Sequence, residues 1–142
     1  MQVETILQSK GTVVHTVAPD TPIADAVGVL NRHRIGAVVV VTDGGEVAGI
    51  LSERDIVRNL GADASALLRR PVREIMTTKV VTCSAGTTVS DLMEQMTRFR
   101  IRHIPIVEDG QLTGIVSIGD VVKRKIEETE LEASALREYI AS

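Results

Sequence analysis

Residues 13–57 and 79–122 repeat one another, and this duplication constrains the fold more than any single residue can. The register holds at one offset up to Asp43 and Asp109, then slips by a single residue in the turn. Gly49-Ile50-Leu51-Ser52-Glu53-Arg54-Asp55 returns as Gly114-Ile115-Val116-Ser117-Ile118-Gly119-Asp120. Upstream, Arg34-Ile35 pairs with Arg100-Ile101, Asp25 with Asp91, and Thr16 with Thr82. Two copies of this length are too few and too long for a solenoid. The duplication predicts pseudo-two-fold symmetry and two related sites in one chain.

Each copy reads as strand, helix, hairpin, helix. Val13–Val17 is a short β-branched run, and Pro19-Asp20-Thr21-Pro22 marks a turn into a helix. Ile23, Ala26, Val27 and Leu30 then form an i, i+3, i+4, i+7 face that ends near Arg34. The apolar run Val38–Val41 is joined to Val47–Leu51 by Asp43-Gly44-Gly45, a hairpin signal because Gly supplies positive φ. Ser52 is placed to cap the next helix. In the second copy, Val80–Thr82 is the short strand, and Val89, Leu92, Met93 and Met96 are the helix face. His103–Val107 and Leu112–Val116 flank the turn Glu108-Asp109-Gly110, and Ser117 precedes a helix. Outside the repeats, Val3, Ile6 and Leu7 sit at helical spacing before Gly11, a plausible C-cap. Gly61–Arg70 reads as a linker or frayed helix, and Pro71–Met76 as one helical turn. These boundaries divide the chain into an N-terminal helix (1–11), a first repeat (12–60), a linker with a short helix (61–76), a second repeat (77–123) and an amphipathic C-terminal helix (124–142).

Composition narrows the function. One Phe, one Tyr and no Trp leave an aliphatic core and no platform for stacking nucleic-acid bases. A net charge of −3 gives no general attraction to polyanions. The single cysteine, Cys83, excludes an intrachain disulfide or a multi-cysteine metal site, and reads as a small buried apolar residue. There is no signal-peptide pattern and no run of 18 apolar residues, so a cytoplasmic protein outside the membrane is the expectation. His15 and His33 lack metal-ligand spacing and read as surface residues, Met93 and Met96 as core. No phosphate-binding glycine loop, zinc-protease helix, nucleophile elbow or dinucleotide fingerprint is present. No catalytic residue and no metal ligand is therefore expected.

The closing pattern Gly-apolar-apolar-Ser-x-x-Asp, together with Arg102-His103-Ile104-Pro105-Ile106-Val107, resembles the cystathionine-β-synthase (CBS) domain motif. Two copies in tandem resemble the CBS pair, or Bateman module, over roughly residues 12–123. The resemblance implies the stand-alone bacterial type. The implied fold is α+β: two βαββα repeats packed sheet to sheet about a pseudo-two-fold axis, helices outside. Such packing also suits the physics, since a small sheet cannot bury both faces by itself.

The resemblance further implies a regulatory module without catalysis, binding adenine nucleotides in the cleft between the sheets. AMP, ADP, ATP or NAD is the expected ligand, with S-adenosylmethionine less favoured; no cofactor is obligatory. By the same resemblance, one pocket combines Ser52, Arg54 and Asp55 with Val80, Val81, Thr82, Arg102, His103 and Ile104. The other combines Ser117 and Asp120 with Thr12, Val13, Val14, Ala18, Gly36, Ala37 and Val38. Each Asp would accept ribose hydroxyls, amides at the helix start would attract phosphate, and Val and Ile side chains would sandwich the adenine. Arg54, Arg102 and His103 are expected to gather around Asp55, making that pocket the stronger phosphate binder. Val39 stands where the second repeat has Pro105, so the pockets should be unequal. A homodimer and a regulated protein partner are expected, with no nucleic acid. The alternative is a structural dimerisation module with a vestigial cleft, driven by the amphipathic ends.

Overall fold

The computed structural model of the chain describes residues 1–141. Helix α1 (Val3–Lys10) precedes the first repeat, which holds β1 (Thr16–Val17), α2 (Ile23–His33), β2 (Ala37–Val41), β3 (Val47–Ser52) and α3 (Glu53–Asn59). Helix α4 (Ala64–Arg69) and a 3₁₀ turn (Val72–Glu74) form the linker. The second repeat holds α5 (Val89–Phe99), β4 (His103–Glu108), β5 (Gln111–Ser117) and α6 (Ile118–Ala141). The expected boundary at residue 124 falls inside α6, so the repeat-closing helix and the C-terminal helix are one; Ser142 lies outside the described residues.

Helices α2 and α5 end alike. Arg34 and Arg100 adopt φ of 53° and 54°, and their N–H groups bond the Leu30 and Met96 carbonyls. This left-handed cap lets the chain reverse into each hairpin. The buried faces are Ile23, Ala26 and Leu30 in α2, and Val89, Leu92 and Met96 in α5. Met93 departs from expectation: it is 40% exposed, on the side of α5 that faces a groove beside α6.

The first sheet has the order β1-β2-β3, with β1 parallel and β3 antiparallel to β2. The second is not its copy. It has two strands, and Val80–Thr82 form none; a single parallel bridge joins Cys83 to Ile106. The Cys83 N–H donates to the Pro105 carbonyl, and its own carbonyl accepts from Val107. Extending that ladder backward would require an N–H from residue 105, and proline has none. Val39, in the equivalent place, allows β1 to pair over Thr16 and Val17.

Each repeat has its own core. Val38, Val40 and Leu51 join the first, Ile104, Ile106 and Val116 the second. The flanking segments are exchanged. Val3, Ile6 and Leu7, ahead of the first repeat, belong to the second core, whereas Val72 and Ile75 of the linker belong to the first. The backbone bonds match: Val3 N–H to Thr87 O and Glu4 N–H to Ala85 O correspond to Val72 N–H to Thr21 O and Arg73 N–H to Pro19 O. The duplication thus reaches further upstream than the alignable stretch. The motif glycines make room for these segments. A Cβ on Gly49 would lie 2.7 Å from the Met76 sulfur, and one on Gly114 2.8 Å from Leu7 Cδ2. Cys83 is buried, and burial pushes its thiol pKa up.

The opposite sheet faces meet between the repeats. Val39 is fully buried yet belongs to neither core. A Cβ on Gly36 would lie 3.3 Å from the His103 ring, and one on Gly45 3.4 Å from the Gln111 side-chain oxygen. The two hairpins therefore touch near their starts and near their turns.

Candidate functional site

The Ser-x-x-Asp segments fold locally. Ser52 and Asp55 form a capping box at the start of α3: the Asp55 N–H donates to Ser52 Oγ (3.2 Å), and the Ser52 N–H donates to Asp55 Oδ2 (2.9 Å). Ser117 and Asp120 make the same pair of bonds at the start of α6, at 3.2 and 2.8 Å. Each box satisfies two backbone donors and fixes its carboxylate at a helix start. Each is also tied to the hairpin start of its own repeat. The Glu53 N–H donates to the Gly36 carbonyl, and the Ile118 N–H to the Arg102 carbonyl.

Beyond the boxes the two carboxylates differ. Asp55 Oδ1 accepts a long bond of 3.4 Å from the Thr77 hydroxyl. Asp120 Oδ2 accepts from the Lys10 ammonium at 2.7 Å, and the same ammonium donates to the Ile115 carbonyl at 2.8 Å. Burial raises the Asp120 pKa, but the Lys10 and Ser117 bonds outweigh it and hold the carboxyl below its ordinary value. His103 is shifted down, first by burial; Asp120 and Glu53 oppose that, while Lys10 and Arg102 reinforce it.

The placement of His103 corrects the expected grouping. His103 pairs in register with Ser117, and Ala37 with Ser52, because each hairpin closes on itself. The charges His103 feels are those of Asp120, Lys10, Glu53 and Arg102. His103 therefore stands beside the Ser117–Asp120 cap of its own repeat and packs against Gly36 of the other. Arg54 and Arg102 are exposed.

Val38 and Ile104 also depart from expectation. Both are fully buried in the repeat cores and cannot sandwich a ligand in the cleft. Side chains alternate along a strand, so the cleft face of each hairpin is Val39 with Ile50 and Pro105 with Ile115, partners in register. The motif singles out Val39 and Pro105 only as a difference between the repeats, and Ile50 and Ile115 not at all. A strict period-two count from the core positions identifies them.

The remaining expected residues lie on loops, except Ala37, the first residue of β2. Thr12, Val13 and Ala18 are exposed, Val13 by 77%, and Val14 is half-buried. Val80 and Val81 are half-buried, Val81 against the second core, and Thr82 is exposed. Gly36 is half-buried beside His103, and Ala37 is buried next to it. His15 and His33 stack on one another, ring centroids 3.5 Å apart. Among the described residues, no group of three or more His, Cys, Asp or Glu could hold a metal ion, and no helix is long and apolar enough to cross a membrane.

The family model described as CBS domain matches residues 11–62 and 72–127. A CBS domain-containing protein of Arabidopsis thaliana, CBSX3, described as mitochondrial, is 39% identical over 125 residues; the match covers 85% of this chain and 61% of that protein. The chain therefore spans about three-fifths of that relative's length. The crystal structure of the CBS-domain containing protein ATU1752 from Agrobacterium tumefaciens superposes with a TM-score of 0.84 at 46% identity, covering 88% of this chain and 99% of that one. The CBS domain pair of protein MJ0100, in complex with 5′-methylthioadenosine and S-adenosyl-L-methionine, superposes with a TM-score of 0.78 at 26% identity, covering 90% and 98%.

Proposed function

This chain belongs to the CBS-domain family, with two such domains in tandem, and from that premise we propose that it is a regulatory module that binds an adenine nucleotide between its repeats and catalyses no reaction itself. One observation carries the reading. Both repeats present a carboxylate fixed by a reciprocal cap at a helix start, Asp55 and Asp120. A carboxylate so fixed can accept both hydroxyls of a ribose, since it offers two acceptor oxygens. On the face that Val39 and Pro105 share with them, the half-buried Ile50 and Ile115 supply the apolar surface that a base can reach. The adenosine compounds held by the MJ0100 pair support the ligand class.

AMP, ADP, ATP and NAD suit the site better than S-adenosylmethionine, because Lys10 on Asp120, with Arg54 and Arg102 exposed and their backbone at the two caps, favours phosphate over a sulfonium. Nucleotide binding would bias two arrangements of the repeats and so act on a partner protein. Calorimetric titration with these five compounds tests the proposal. Saturable binding of a nucleotide is the expected result; no heat from any of them at millimolar concentration rejects it.

A structural dimerisation module is the second reading, favoured by the apolar face of α6. Ile118, Val122 and Ile126 are each about half exposed and line, with Met93, a groove of about 400 Å³ between α5 and α6. A second copy laid antiparallel would bring Lys123-Arg124-Lys125 of one helix toward Glu127, Glu128 and Glu130 of the other. Sedimentation decides whether the chain dimerises. A nucleotide-dependent rise in melting temperature separates a sensor from a scaffold, because a ligand of the native state must raise it.

A further inference from the structure

We infer that Lys10 determines the ligand class of the Asp120 half-site, reserving it for a nucleoside that carries an anionic group; this rests on the nucleotide-binding reading above. The Asp120 oxygen that closes the capping box also receives the Lys10 ammonium at 2.7 Å. A ribose diol that takes both carboxylate oxygens therefore competes with Lys10 for Oδ2, while the ammonium keeps its bond to the Ile115 carbonyl. The bridge is open to exchange with a ligand: its side chains are 30% and 24% exposed, so solvent screens it in part. A neutral nucleoside that wins Oδ2 leaves the ammonium with the neutral Ile115 carbonyl and no anionic partner. A phosphate would give it a new partner, and a phosphate paired to a cation is worth more than an exposed carboxylate pair.

The surroundings agree. Lys10 borders a notch of about 80 Å³ between the end of α1 and the start of α6, lined also by Ser9, Lys123, Arg124, Asp120 and Glu127. Arg124 approaches Glu127 at 3.8 Å, and Lys10 bridges Asp120, so Lys123 leaves the notch with one net positive charge. Engaging Asp120 with hydroxyls releases a second cation. The Asp55 half-site has no such device. Its carboxylate meets the neutral Thr77 hydroxyl, and among the described residues no ion pair involves Asp55.

The test is calorimetric titration of the full chain with AMP and with adenosine, in an Asp55→Asn background that leaves the Asp120 step visible. AMP should bind this step tighter than adenosine by on the order of tenfold, the worth of one charge-assisted hydrogen bond. Lys10→Met keeps the aliphatic stem and should bring the two ligands to near parity, adenosine gaining and AMP losing. Lys10→Arg keeps the cation and should keep the preference. An unchanged preference in Lys10→Met, or its loss in Lys10→Arg, overturns the role of Lys10 while leaving nucleotide binding intact. If the wild-type chain binds neither compound at either step, the functional proposal itself fails and this one with it.

Discussion

Asp55 and Asp120 occupy equivalent places in two copies of one motif, yet the molecule gives them different company. Both sit in the same capping box. Asp55 then meets a threonine hydroxyl, whereas Asp120 meets a lysine and lies within electrostatic reach of His103. The difference comes from the segments that cover each repeat. The linker covers the first and leads directly into Thr77; α1 covers the second and brings Lys10. Duplication therefore preserved the local device and left its chemistry to the exchanged flanks.

The largest expected effect strikes that comparison directly. Asp55→Ala and Asp120→Ala should each abolish one nucleotide-binding step and spare the other, as read by calorimetry. Loss of both steps from one substitution would mean a single shared site. Next comes the face assignment. Ile104→Ala should lower unfolding free energy by about 2–5 kcal/mol, as for a large side chain deleted from a packed core. If chemical denaturation shows almost no loss while nucleotide affinity collapses, Ile104 lines the cleft after all.

A smaller effect separates the two motif glycines. Gly49→Ala forces a Cβ to within 2.9 Å of the Thr77 carbonyl, which is backbone, and should cost about 1–3 kcal/mol. Gly114→Ala meets only the end of the Leu7 side chain and should cost less. Equal losses on denaturation would mean that α1 and the linker are held with equal rigidity.

The smallest effect is the most specific. Lys10→Met should cost about 0.2–1 kcal/mol at neutral pH, the value of a partly exposed pair. The folded-state pKa of Asp120 is depressed, so its contribution is present above the ordinary carboxylate pKa and is lost as pH falls through the lowered one. The stabilities of wild type and Lys10→Met should then converge in acid. Thr77→Val should show no such pH dependence. Denaturation curves at neutral and acid pH read both. His103 gives a second handle of like sign: its lowered pKa makes stability fall as pH drops from the ordinary histidine value toward the lowered one. His103→Gln should flatten that limb.

Much of this was legible before any coordinates. The order of elements, the helix faces of α2 and α5 and the glycine-bearing hairpin turns follow from period and turn chemistry. So do the Ser caps, because every partner lies within a few residues. Pro105 against Val39 signalled unequal repeats, although its consequence is a strand lost for want of one N–H. The faces of β2 and β4 are not legible in the sequence, because Val38 and Ile104 are apolar on strands with no polar alternation. Where both faces are buried, hydrophobicity cannot tell core from cleft.

The chain's sequence by itself therefore determined two repeats, their local frames and the two carboxylates, since each depends on neighbours along the chain. Tertiary structure alone decided what those carboxylates touch. Lys10 reaches Asp120 across a separation of 110 residues, and Thr77 reaches Asp55 across 22. Neither contact leaves a periodic or local trace. Both arise because each repeat is closed by a segment from outside it, and the identity of that segment sets the charge beside an otherwise duplicated site.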